Sequence, residues 1–120
     1  MKMPRPDSED KAFFLSVLPK DPGIHVRPMF GNDAAFVNGN MFAGLFGKQL
    51  FVRLSAEDQA ELLAEKGASR FAPMEGRPMS SYIVVPAAWR TSPKKVGAWV
   101  ARSLAWSSGL PPKASKKTKS

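Results

Sequence analysis

Cysteine is absent from the chain, which removes disulfides, thiol nucleophiles and thiolate metal sites together. Histidine occurs once, at His25, so two histidines cannot share a metal ion, and no ligand spacing accompanies it. Apolar runs long enough to cross a bilayer, roughly 20 residues, are missing. The longest candidate, Asn40 to Leu54, is interrupted by Gly44, Gly47, Lys48 and Arg53. The opening Met1-Lys2-Met3-Pro4-Arg5-Pro6 meets Asp7, Glu9, Asp10 and Lys11 where a secretory leader needs an apolar stretch. The expectation is a cytoplasmic protein with no membrane contact, no metal and no cofactor. Glycines 39, 44 and 47 fall in hairpin-like segments, and no strand-to-helix turn combines glycines with a lysine, which excludes a phosphate-binding loop.

What is present suffices for one small domain: 120 residues, 43% of them hydrophobic. The formal charge of +8 is unevenly spread, because Lys113, Lys116, Lys117 and Lys119 lie in the last eight positions. Without those four of the 18 basic residues, 14 remain against 10 acidic ones, a net of +4 over residues 1–112. The reading divides the chain into a flexible N-terminus at 1–7, a folded domain at 8–108 and a disordered lysine-rich tail at 109–120.

Asp7-Ser8-Glu9-Asp10 supplies cap residues and early acids ahead of Phe13, Phe14, Val17 and Leu18, whose spacing predicts a first helix. Pro19 and Asp21-Pro22-Gly23 stop it. Strand patterns follow to Leu54. Asn38-Gly39 suits the positive φ angles of a two-residue hairpin turn, and Gly47-Lys48 marks a second reversal. In Gln49–Leu54 alternation puts Leu50, Val52 and Leu54 on a core face, and Phe51 and Arg53 on a partly wet one. Ser55 caps a second helix predicted over 56–66, with Gly67 as its left-handed terminator. A short strand at Ser69–Ala72, a stronger one at Ser81–Val85 and a third helix begun by Thr91-Ser92-Pro93 complete the order. The prediction is α+β: one two-layer domain, an antiparallel sheet of about five strands with flanking helices, in the order α-β-β-β-α-β-β-α.

Arg27-Pro28-Met29-Phe30-Gly31, the hairpin region ending in Leu50-Phe51-Val52-Arg53, the Gly67 to Phe71 segment and Tyr82 to Val85 with Pro86 together resemble the TfoX/Sxy N-terminal domain family, over roughly residues 8–106. The resemblance implies a five-stranded antiparallel sheet with flanking helices. It also implies kinship with bacterial regulators of natural competence, which act with the cyclic-AMP receptor protein in transcription, and with many short single-domain members of no assigned activity. The full-length regulators carry a second, helical C-terminal domain; here the lysine tail stands where that domain would begin.

Candidate sites are few. Pro28 cannot donate to a sheet ladder, which marks an edge strand or bulge, while Met29 and Phe30 read as core and Gly31 as a turn. Arg27 and the edge beside it are the candidate partner surface. A Ser-His-Asp set can be assembled on paper from Ser80 or Ser81, His25 and Asp33, but no nucleophile-elbow sequence accompanies it, so no catalytic residue is assigned. Phe36, Phe42, Phe46 and Phe51 read as core; the competing reading is a base-stacking platform, which needs more interleaved basic residues than Lys48 and Arg53. Trp99 belongs to an apolar helix stripe, and Trp106 is a candidate interface residue. The expected function is a non-enzymatic regulatory or protein-interaction domain that acts on a protein partner or by forming a homodimer. The alternative is a small basic nucleic-acid-binding accessory protein that uses Lys113, Lys116, Lys117 and Lys119 on phosphates.

Overall fold

The computed structural model describes residues 7–29, 32–72 and 81–111. Its first helix, α1 (Ser8–Val17), starts with a reciprocal capping box. The Asp7 carboxylate accepts the Asp10 amide and the Asp10 carboxylate accepts the Asp7 amide, each at 2.9 Å, so aspartate fills the place Glu or Gln usually takes. Phe14 and Val17 are buried, with Phe13 and Leu18 packed at their side.

Four strands follow as a meander: β1 (Ile24–Met29), β2 (Asn32–Val37), β3 (Asn40–Phe46) and β4 (Gln49–Arg53). Asn38 (φ 51°) and Gly39 (φ 79°) form the expected turn with both central residues left-handed. Gly47, at φ 64°, opens the next turn, and its amide donates to the buried Asn32 side chain at 2.9 Å. Helix α2 (Ala56–Leu63) then crosses to β5 (Ser69–Arg70) and β6 (Tyr82–Val84), which inserts between β4 and β5. Every pairing is antiparallel, in the order β1-β2-β3-β4-β6-β5. A 3-10 turn (Ala87–Thr91) leads into α3 (Pro93–Ser108), where Ser92 stands as cap and Pro93 as first residue.

The α+β class holds, with six strands where the sequence suggested about five. The added strand is β1. Its residues 25–28 are exposed and include a proline, so neither alternation nor an unbroken ladder announces it. Helix α2 also stops three residues short of the predicted Lys66, and Gly67 takes its left-handed φ of 94° in the turn beyond.

The second face of the sheet is not wet. Leu50, Val52 and Leu54 join Phe14, Val96, Trp99 and Val100 under the helices, as alternation requires. On the opposite face Phe51 packs with Phe36, Phe46, Phe71 and Tyr82 in a separate aromatic cluster. The Phe51 and Phe71 rings stack at 4.0 Å, and Phe46 and Tyr82 meet them edge-on at 5.4 and 5.6 Å. Gly44 makes this possible, since a Cβ there would lie 2.5 Å from Phe51 Cζ.

Candidate functional site

The segment singled out in the sequence lies at one edge of the sheet. In β1, Arg27 faces Ala34 and Pro28 faces Asp33 across the strand pair. Ile24 donates its amide to Asp21 at 3.1 Å, away from β2. By the period of two, the Val26 amide and the Pro28 nitrogen point the same way, so the outer row of β1 offers the Val26 donor and then a gap. That gap blunts the edge against unselective strand addition. The side chains stay accessible: Val26 is 40% exposed, and the Arg27 guanidinium lies 4.4 Å over the Phe36 ring. Ile24, His25, Val26, Arg27, Phe36 and Gly39 line an open groove of about 470 Å³ along this edge. Met29 ends the strand, and Phe30 and Gly31 lie outside the described residues.

Among the described residues the other motif positions, Tyr82 and Pro86, are buried. A register shift at Ala35/Phe36 makes Phe42 the extra residue of β3, a β-bulge in the ladder. Tyr82 donates its hydroxyl to the Met41 carbonyl at 2.9 Å from the aromatic face, and Ser103 of α3 donates to the Phe42 carbonyl from the helical face. Burial pushes the Tyr82 phenol above its ordinary 10.0, against the opposing pull of Arg53. Buried Pro86 sits against Gly67, where a Cβ would be 3.2 Å from the proline Cβ. Trp106 is half-buried, with the Arg53 guanidinium 5.7 Å from its ring. Lys113, Lys116, Lys117 and Lys119 lie outside the described residues.

The catalytic set drawn on paper does not assemble. His25 pairs directly with Phe36 and shares its face, whereas Asp33 stands three residues from Phe36 and projects from the opposite face. Ser80 lies outside the described residues, and Ser81 has an unusual φ of 79° while its carbonyl accepts the Leu54 amide. Among the described residues no group of three His, Cys, Asp or Glu side chains is placed to hold a metal. The four phenylalanines of the supposed platform are all buried, Phe42 on the helical side and the others on the aromatic side.

One charged cluster escaped the sequence reading. The Asp10 side chain is 1% exposed, yet it meets Arg90 Nη2 at 2.9 Å and Lys48 Nζ at 3.4 Å; Lys48 also reaches Asp7 at 3.3 Å. Burial would raise the Asp10 carboxyl, but the Asp7 amide, Arg90 and Lys48 outweigh it and hold it below its ordinary 3.8. Hydrogen bonds to Asp7 and then Asp10 in turn raise Lys48. The signal was an aspartate at the third helical position, readable only as a cap; nothing in the sequence ties it to Arg90, 80 positions away.

An antiparallel sheet with helices on one face, an accessible edge strand and buried Tyr82 and Pro86 together define a small α+β domain. The family model described as TfoX N-terminal domain matches residues 18–106, and the chain belongs to that family. No curated protein matches the chain. Among the described residues no helix is long and apolar enough to cross a membrane.

Proposed function

We propose that this TfoX N-terminal domain is a non-enzymatic, regulatory interaction module of the cytoplasm that binds a protein partner, or a second copy of itself, along β1. The observation that carries this reading is the exposed edge: residues 25–28 are open to solvent, with Val26 presenting an apolar group on one face of the strand and Arg27 a cationic group on the other. Pro28 makes the edge selective, because a partner strand can use the Val26 donor but finds none at the next outward position. Side-chain contacts then set partner choice. The test is affinity capture from the host lysate, combined with light scattering across protein concentration, on wild-type chain and a Val26→Asp, Arg27→Glu double variant. The reading expects a specific partner or a dimer that the double variant loses. A monomer at every concentration, with the same proteins captured by both forms, would overturn it.

A further inference from the structure

We infer that the β1 edge takes an acidic extended peptide segment, one in which carboxylate-bearing side chains alternate with apolar ones. This occupant presupposes the edge reading above and specifies its partner. Alternation puts His25 and Arg27 on one face of β1, with Phe36 beside them, and Val26 on the other. An added strand keeps the same period of two, so its residues opposite His25 and Arg27 share that face and the residue between them joins Val26. The outer row of β1 presents the carbonyls of Ile24, Val26 and Pro28 beside the single Val26 amide, since the Ile24 amide is spent on Asp21. Carbonyls need N–H donors, which a peptide strand supplies in register; the phosphodiester backbone of a nucleic acid only accepts.

The charge of the edge has no counterpart within the domain. Arg90 meets Asp10 at 2.9 Å, and Arg102 meets Asp58 at 3.4 Å and Glu61 at 3.2 Å. Exposed Arg27 has neither an ion pair nor a side-chain hydrogen bond among the described residues, and rests instead on the Phe36 ring. That contact leaves the N–H donors of its guanidinium for an incoming carboxylate, and exposed His25 adds a ring N–H two residues away on the same face. The one acid in β1 and β2, Asp33, belongs to the Val26 face and does not neutralise them. A second source of positive charge begins at the other end of the groove. Gly39 lines that end, and the neighbouring Asn40 donates from its side chain to the Pro111 carbonyl at 3.1 Å. From this anchor the chain continues to Lys113, Lys116, Lys117 and Lys119. Cations at both ends of the groove draw in an acidic segment and disfavour a basic one.

The probes are the end-blocked peptide Thr-Glu-Val-Glu-Val-Thr, its Gln and Lys counterparts, and a short oligothymidylate, each titrated into the full chain with binding read by protein-observed NMR. The Glu peptide should shift the amides of Val26, Arg27 and Gly39 and bind at least about fivefold more tightly than the Gln peptide, with the gap narrowing as salt rises. Arg27→Glu should reverse the order, so that the Lys peptide binds better than the Glu peptide. Arg102→Gln, on α3, should keep the wild-type order. Equal binding of the Glu and Gln peptides at β1 would overturn the acidic assignment and leave the edge reading standing. Tighter binding of oligothymidylate at the same amides would overturn the peptide assignment in favour of a nucleic acid. Shifts confined to other amides, or none with any probe at about 5 mM, would overturn the occupant altogether; the edge reading would then stand or fall on the capture and light scattering of the double variant.

Discussion

The two faces of the sheet solve the same problem with different residues. Under α1 and α3 the core is mainly branched aliphatic, with Val37, Leu45, Val52, Leu54 and Ile83 filling the space between helix ridges. The opposite cluster contains no helical residue, and it closes with flat rings: Phe36, Phe46, Phe51, Phe71 and Tyr82. Branched side chains stand up from a sheet and need a second layer to bury them, whereas an aromatic ring laid across a glycine buries much of its own surface against the sheet. Phe51 over Gly44 is that arrangement. The lesson is that a strand's alternation reports which residues share a face, and not whether the face is dry.

This contrast can be broken. The largest effect is expected from Phe51→Ala, which removes the centre of the ring stack and should cost about 3–5 kcal/mol in urea unfolding. A cost below about 1 kcal/mol would reduce the aromatic face to a surface decoration. Gly44→Ala should come next, on the order of 1–3 kcal/mol, because the new methyl meets Phe51 Cζ at 2.5 Å. In the Phe51→Ala background the same change should be close to neutral, and a double-mutant cycle that shows simple additivity would refute the contact as its cause. Tyr82→Phe and Ser103→Ala probe the bulge from opposite faces. Each strands a buried carbonyl, for about 1–3 kcal/mol, and similar values would show that both faces depend on it.

The smallest effect is confined to acid. Because the folded Asp10 pKa is depressed below 3.8, its contribution is fully present above the unfolded value of about 3.9 and is lost as pH falls through the folded one. The urea midpoint should therefore drop more steeply below about pH 4 in the wild type than in Asp10→Asn, which has no charge to neutralise. Parallel acid profiles for the two proteins would show that Asp10 does not carry this loss.

Much of the fold was legible because its signals are local. Asn38-Gly39, Ser55 and Pro93 each state a backbone conformation within a few residues, and each stands where its chemistry requires, whereas Ser92 holds the cap position of α3 without a side-chain capping bond. The misses are of another kind. Strand β1 is specified by its pairing with Asn32 to Val37, not by its own pattern, and Gly67 sits in a turn packed closely against Pro86, far along the chain. The candidate sites divide the same way: the edge at Pro28 could be inferred from the missing donor, while Asp10 and Arg90 are separated in the chain by six strands and a second helix and converge with Lys48 only in the fold.

The bulge at Phe42 also bears on register. A strand slipped along its neighbour by two residues keeps its faces and most of its ladder, which makes such an error hard for a hairpin to detect. Here a slip of β2 against β3 would move the bulge off Phe42 and change the backbone that presents the Met41 and Phe42 carbonyls to Tyr82 and Ser103, donors that come from late in the chain and from opposite sides. The register of this hairpin is thus tied to residues 41 and 61 positions further along the chain, so that a local pairing carries a long-range check.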